Sequence, residues 1–379
     1  MKKTIALFGL LTFVLIALQQ CKPDPPLCCD NGSDPDSLYV GTPDTILRPF
    51  KFPPVELPAG MTLTKEGVQL GRMLFYDPVL SSDSTIACGT CHIQQFAFAD
   101  GGKAVSQNFF GPTKRNTPPI FNMLWSKKFF WDGRVTTITA QAIDALHGEQ
   151  NFIAPAIVPK LEADSTYTAL FKKAFGRPGN ITEEKIANAL GQFMLTMVSS
   201  ESKFDSVMRG QAAFTPEESR GFFDLFLKDP TLNTTNPGVG ADCFHCHSST
   251  SANYVTMIDD VFHNNALDDG TNFVYADKGL GDVTGNQLDN GVFKTPHIRN
   301  VEVTGPYMHD GRFAALQDVV NFYNEGLKNP PNADPNMKFA HQGGLHSLTP
   351  QDKADLIAFL KTLTDHKFIT NPKFSNPFE

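Results

Sequence analysis

Two stretches of the 379-residue chain carry the residue types of a metal centre: Cys88-Gly89-Thr90-Cys91-His92 and Cys243-Phe244-His245-Cys246-His247. Two thiols at this spacing reach opposite edges of one macrocycle and close thioether bonds to it, while the next imidazole comes up beneath the iron. The pattern therefore predicts two covalently bound heme c groups, attached through Cys88, Cys91, Cys243 and Cys246 and ligated by His92 and His247. Zinc or an internal disulfide is the competing reading of each Cys-x-x-Cys. Zinc normally takes a second pair of ligands at matching spacing, and neither alternative uses the histidine that follows both pairs. His245, lying between two thioethers, is badly placed to reach the metal and reads as a spacer.

Helices are expected just ahead of each attachment sequence. Thr64 opens a helical pattern with Val68, Leu70, Met73 and Leu74 near one face. Thr215-Pro216-Glu217-Glu218 supplies a cap, a proline at the first helical position and an acid three residues after the cap. Gly101 to Pro119 is rich in Gly, Asn, Thr and Pro and reads as loop. From Thr182 a further helix is expected, with Glu183 and Glu184 at its positive end and Ile186, Leu190, Phe193 and Met197 recurring at helical spacing. A closing helix covers about Thr349 to Thr364. Short strands are expected only as accessories, around Asn253 to Met257 and Gly291 to Thr295.

The order of helix, attachment sequence, polar loop and later helices occurs twice. The fold class expected is therefore mainly α, with two cytochrome c-like helical heme domains related by internal duplication. The spans are an export signal over 1–20, a flexible leader over 21–56, an N-terminal heme domain over 57–205 and a C-terminal heme domain over 206–370.

With 41 % apolar and 19 % charged residues the chain has the composition of a folded protein, and a formal charge of −8 gives no reason to expect nucleic-acid binding. Lys2 and Lys3 precede an apolar run from Ile5 to Leu18 that is too short to span a bilayer and fits an export signal. The expected location is the periplasm of a Gram-negative bacterium. Leu18-Gln19-Gln20-Cys21 resembles a lipoprotein processing site, with Gln20 where a small residue is usual; acylation of Cys21 would tether the protein. Of the seven cysteines, Cys28 and Cys29 sit in the leader and read as a surface redox pair or unpaired thiols.

Beyond the attachment sequences, the chain carries Leu70-Gly71-Arg72-Met73-Leu74-Phe75-Tyr76-Asp77, Arg115-Asn116-Thr117-Pro118, Phe130-Trp131-Asp132-Gly133-Arg134, Thr295-Pro296 through Arg299-Asn300, and Thr304-Gly305-Pro306-Tyr307-Met308-His309-Asp310-Gly311. With these marks, from about Leu57 to Leu363, it resembles the bacterial di-heme cytochrome c peroxidase family, together with the relative that completes the tryptophan tryptophylquinone cofactor of methylamine dehydrogenase. The resemblance implies that peroxide binds at the heme held by His92 and that the heme held by His247 accepts electrons from a small periplasmic cytochrome c or copper protein. It places Trp131 between the hemes, where the alternative is a core aromatic. It makes Asn116, with the carbonyls of Thr304 and Pro306, the protein ligands of a calcium ion, and it suggests a homodimer.

For peroxide cleavage the resemblance implies a distal glutamate supported by a glutamine. Gln141 matches the glutamine. Ungapped counting for the glutamate lands on Asn151, and Glu149, two residues earlier, is the acid preferred. At the C-terminal heme the family's axial methionine falls fourteen residues after His309, on Tyr323; the cofactor-forming relative has tyrosine there. Met308 is the rival ligand, and helix packing is the plain alternative for Tyr323. A phenolate favours ferric iron relative to a thioether and lowers the potential.

In many family peroxidases a histidine from the glycine-rich loop caps the N-terminal heme. Here that loop, Gly101 to Arg115, has Gln107 and Asn108 near the equivalent place and no histidine, so an open distal side is expected, with His147 as the alternative cap. His263, His297, His309, His341 and His346 have no assigned role. The function expected is reduction of hydrogen peroxide to water. The alternatives are a di-heme oxidase that modifies a protein or organic substrate through a high-valent state, and a non-enzymatic di-heme electron carrier.

Overall fold

The computed structural model describes residues 41–176, 180–247, 257 and 260–379. The export signal, Cys21, Cys28, Cys29 and all but Met257 of the strand expected around Asn253 to Met257 lie outside the described residues. The fold is mainly α-helical. Its helices are α1 Lys65–Tyr76, α2 Cys88–Cys91, α3 Ile138–Gln150, α4 Ala154–Ala163, α5 Ser165–Phe175, α6 Glu183–Thr196, α7 Lys203–Met208, α8 Pro216–Arg220, α9 Phe244–His247, α10 Gly281–Thr284, α11 Leu316–Glu325, α12 Pro350–Lys361 and α13 His366–Ile369. Two short antiparallel pairs complete it, β1 Gln107–Asn108 with β2 Gly111–Pro112, and β3 Phe262–His263 with β4 Phe293–Lys294.

The expected caps hold. Thr64, Thr182 and Thr215 each accept a backbone N–H from the first turn of α1, α6 and α8, which satisfies donors the helix itself cannot. Glu218 completes a capping box with Thr215. Helices α4 and α5 have no counterpart in the sequence reading; in α4, Pro155 and Pro159 break the apparent periodicity of a segment whose Ile157 and Leu161 are nevertheless fully buried. The Gly101 to Pro119 loop folds back on itself as the β1–β2 hairpin. Part of the span assigned to the leader is packed: Phe52 is fully buried, meets Trp125 edge-on at 4.8 Å, and the Trp125 indole N–H donates to the Pro53 carbonyl.

Helix α1 lies so close on α6 that a Cβ on Gly71 would stand 1.9 Å from the Ala189 carbonyl oxygen. The same approach recurs at Gly221, which begins the π-helical turn Gly221–Phe226 that continues α8; a Cβ there would be 2.1 Å from the Asp355 oxygen of α12. Only glycine lets the backbones meet at this distance.

A second correspondence links the two halves. Thr117-Pro118-Pro119-Ile120-Phe121-Asn122 is matched by Thr295-Pro296-His297-Ile298-Arg299-Asn300. Asn122 and Asn300 both have positive φ, 55° and 57°. Asn122 donates its N–H to Met197 and accepts from the Ser199 N–H; Asn300 donates to Leu363 and accepts from the Asp365 N–H. At the same constant spacing, backbone bridges Phe129–Val135 and Tyr307–Phe313 close around Trp131-Asp132-Gly133-Arg134 and His309-Asp310-Gly311-Arg312, and α3 and α11 then begin after Thr137 and Ala315.

The buried apolar residues form a large cluster between Met61 and Met197, a second between Phe204 and Leu363, and a smaller one around Ala266 and Phe322. The C-terminal segment returns to the first cluster, where Phe368 packs on Phe98 and Phe121, and Arg72 donates to the carbonyls of Pro372 and Ser375. Tyr39–Glu379 is one compact unit. Among the described residues no helix is long and apolar enough to cross a membrane.

Candidate heme centres and active site

Cys88 and Cys91 occupy the single turn α2, and His92 is its C-terminal cap. The His92 Nδ1–H donates to the Phe98 carbonyl at 2.6 Å, which leaves Nε2 as the free lone pair. Burial lowers the His92 pKa to about 4, so the ring is neutral and able to ligate a metal. The second centre has the same device: His247 donates from Nδ1 to the Pro296 carbonyl at 3.1 Å, and burial again lowers its pKa to about 4. Orientation of a ligating imidazole by a carbonyl on its other nitrogen is what a heme-binding histidine requires. Both donor sets therefore fit a heme c.

Over the first centre lies α3. The Gln150 amide donates to Cys88 Sγ at 3.3 Å, and the Phe109 N–H of the β1–β2 hairpin donates to the Glu149 carbonyl at 2.9 Å, so the hairpin and the end of α3 enclose the attachment site. Gln141 is buried with no partner for its Oε1. The Glu149 carboxyl is pushed up by burial, against the pull of Arg134 and with a further rise from Asp144. Its charge also bears on the Cys88 and Cys91 thiols. Asn151, the ungapped alternative, is a helix terminator with φ 51°, its carbonyl accepting from the Ser82 hydroxyl. The side chain of His147 is 51 % exposed and pairs with Glu183 at 2.6 Å on the outer face of α3, so it does not cover the first centre.

The second centre borders a cavity of about 240 Å³ lined among others by Cys246, His247, Met308, Tyr323, Trp131 and His263. Asn265 Nδ2 donates to the Tyr323 hydroxyl oxygen at 3.3 Å and lies 3.5 Å from Met308 Sδ, so both rival ligands are brought together. Burial pushes the Tyr323 phenol well above its ordinary range. Sequence reasoning gave no role to two histidines on this cavity. His263 is fixed by Asp334 at 2.7 Å with Nε2 buried and unpartnered, and His297 has a buried, unpartnered Nδ1. No motif marks either one; only the folded chain brings them to the cavity.

Asn116 sits where the halves meet. Its N–H donates to the His309 carbonyl at 2.7 Å, its carbonyl accepts the Trp131 indole N–H at 2.8 Å, and its amide Nδ2 donates to the Pro306 carbonyl at 2.6 Å. Asn116, Thr304 and Pro306 all border the cavity. This oxygen set is neutral, and presenting the Asn116 oxygen to a cation needs only a flip of the amide.

A family model described as di-haem cytochrome c peroxidase matches residues 65–213. The chain is 34 % identical over 311 residues to the methylamine utilization protein MauG of Methylorubrum extorquens, covering 81 % of this chain and 80 % of that one. It is 31 % identical to the cytochrome-c peroxidase IdrP1 of Denitromonas iodatirespirans, covering 86 % of this chain and 90 % of the relative. Among solved structures, a MauG-like protein associated with microbial copper homeostasis superposes with a TM-score of 0.74 at 33 % identity, covering 88 % of this chain and 99 % of that one. The diheme peroxidase BthA of Burkholderia thailandensis shares the fold, with a TM-score of 0.67 at 23 % identity, covering 83 % of this chain and 90 % of that one. Periplasmic location is typical of these proteins. With paired heme-binding sites of this kind, the chain belongs to the bacterial di-heme cytochrome c peroxidase and MauG family and is a heme-dependent oxidoreductase of peroxidase type.

Proposed function

We propose that the chain reduces hydrogen peroxide to two waters at the centre of His92, with two electrons that a small periplasmic cytochrome c or copper protein delivers at the centre of His247. The observation that supports this reading is the α3 segment beside the first centre: Gln150 donates to Cys88 Sγ, the Glu149 carboxyl with a raised pKa acts on the Cys88 and Cys91 thiols, Gln141 on the same helix has a buried oxygen without a partner, and His147 is turned away. The heme supplies the redox chemistry when bound. Glu149 takes the proton from the nearer peroxide oxygen and returns it to the departing one, which leaves as the first water, two protons from solvent complete the second water, and Gln141 orients the peroxide. Trp131, its N–H fixed on the Asn116 carbonyl, is the aromatic between the two centres.

In this reading residues 57–205 and 206–370 are two heme domains that arose by internal duplication, which the repeated Asn122/Asn300 and Gly71/Gly221 geometry supports. A calcium ion held by Asn116 and the carbonyls of Thr304 and Pro306 joins them, Cys21 carries a lipid anchor, and the protein works as a homodimer. A second reading, oxidation of a protein or organic substrate, is favoured by Tyr323, because a phenolate at the second centre lowers its potential and eases access to stored oxidising equivalents.

Replacement Glu149→Gln tests the proposal. Peroxide consumption with a reduced cytochrome donor should fall about 10²- to 10⁴-fold, with the heme spectra unchanged. The wild-type rate should decline toward acid pH at a value above that of a free carboxyl, because the raised pKa protonates the base early, and the variant should lack that limb. A variant within a few-fold of wild type would remove Glu149 from the mechanism.

A further inference from the structure

The correspondence between the halves extends into the helices that follow it. Helix α3 starts at Ile138 after an extended Thr137, with φ −129° and ψ 149°; α11 starts at Leu316 after an extended Ala315, with φ −125° and ψ 153°. Ile138 and Ala142 are buried in α3 as Leu316 and Val320 are in α11, so the two helices have the same rotation about their axes. At the constant spacing of the repeat, Gln141, Ala145 and Glu149 are therefore the counterparts of Val319, Tyr323 and Leu327.

Residues four apart lie above one another on a helix face. Val319 and Tyr323 of α11 both line the cavity that holds Cys246 and His247, as does Leu327 just beyond the helix end, so we take this stripe as the distal face of the second centre. The matching stripe on α3 carries the amide, a methyl group and the carboxyl. Its middle position, where the second half presents a phenol, holds only a Cβ.

We propose that Ala145 is the residue that keeps the first centre open to peroxide. In each half the middle position of the distal stripe decides whether the iron is closed by a side chain or left accessible. This rests on the reading that peroxide is reduced at the His92 centre and that Tyr323 closes the other one. An alanine has no atom that reaches across the pocket, and the space its missing side chain leaves lies between Gln141 and Glu149, where the two groups needed for proton transfer flank it. Tyrosine at the same register in α11 fills that space and carries its oxygen toward the position facing His247.

The test exchanges the two middle positions in the holoprotein. Ala145→Tyr should convert the first heme to a six-coordinate form: the high-spin signal of the all-ferric protein in electron paramagnetic resonance should be lost, and added cyanide should no longer shift the spectrum of that heme. Ala145→Val, which adds bulk without a ligand atom, should keep the high-spin signal. Tyr323→Ala should produce a new high-spin signal from the second heme, and because it only removes atoms it guards against a folding failure in the larger substitution. Retention of the high-spin signal and cyanide binding in Ala145→Tyr, with Tyr323→Ala opening the second heme, would overturn the role of Ala145 alone. Two low-spin signals in the wild-type protein would instead overturn the underlying reading of an open first centre.

Discussion

Arg299 and Asp205 form an ion pair almost fully removed from solvent, with side chains 0 % and 3 % exposed. Two guanidinium N–H groups donate to the carboxylate at 2.9 Å and 2.6 Å, and the same carboxylate accepts from Ser202 in a capping box that starts α7. Replacing Arg299 with Leu leaves a buried carboxylate whose charge is no longer compensated, and breaking such a pair from one side costs about 3–5 kcal/mol. The double variant Asp205→Leu, Arg299→Leu should recover a large part of that loss, because the stranded charge goes with it. Burial raises the Asp205 pKa, but Arg299 and Ser202 outweigh it and hold the group below the usual carboxylate range. A depressed folded pKa contributes stability that is full above the unfolded value of about 3.9 and is lost as pH falls through the folded value. The gap between wild type and Arg299→Leu should accordingly narrow in acid. Urea denaturation of the holoprotein from neutral pH down to about pH 3 measures both effects. A single variant within about 1 kcal/mol of wild type at neutral pH, or a gap that widens in acid, would refute this account of the pair.

Gly71→Ala should destabilise by at least about 1–3 kcal/mol, the usual cost of overpacking, because its Cβ meets the rigid Ala189 carbonyl at 1.9 Å; thermal unfolding followed by circular dichroism reads this, and an unchanged midpoint would contradict the helix contact. His147→Ala should leave the spectra of both hemes and the peroxide rate as in wild type, with stability changed by less than about 1 kcal/mol as for other surface pairs. Any appearance or loss of a low-spin signal in that variant would show His147 to be a cap after all. Tyr323→Met should raise the midpoint potential of the second heme, since a thioether favours ferrous iron relative to a phenolate, whereas Met308→Leu should leave it in place. The reverse pattern in a spectroelectrochemical titration would make Met308 the ligand.

The attachment sites were legible because their chemistry is local. Two thiols and an imidazole within five residues need no tertiary information to be recognised, and the helices α1, α6, α8 and α12 announced themselves through caps and apolar spacing. The distal groups were legible only by resemblance, since a glutamine and a glutamate on a helix look like any solvent-facing pair. Counting along the chain left Glu149 and Asn151 in competition. The folded backbone gives them different settings: Asn151 adopts the left-handed conformation that ends α3, while Glu149 is still within the helix that carries Gln141. Helix α4 was hidden by its prolines, and Phe52 by the proline-rich sequence around it, because burial against Trp125 and Arg299 is set by residues far away in the chain. His263 and His297 stayed silent for the same reason.

Electron entry and peroxide reduction make opposite demands on an iron, and in the proposed reading the two halves meet them with one scaffold. On the proximal side both centres solve the same problem in the same way, with a carbonyl on Nδ1 and a buried neutral ring. They differ along the α3 and α11 stripe, where Gln141 and Ala145 in one half correspond to Val319 and Tyr323 in the other, and Glu149, still on α3, corresponds to Leu327 just past the end of α11. In the proposed duplication this stripe is free to diverge without disturbing the core, because it is not part of the α1–α6 or α8–α12 contacts that hold each half together. What must then stay fixed is the separation of the centres. Trp131 donates to the Asn116 carbonyl, Asn116 donates to the His309 carbonyl, and Arg115 clamps Asp132 to Asp277, so the proposed electron route is held by direct hydrogen bonds from both halves. Under the proposed division of labour, electrons entering at the second centre then reach the first along a path that is already held in place, as a first centre that needs no cap expelled before peroxide binds requires.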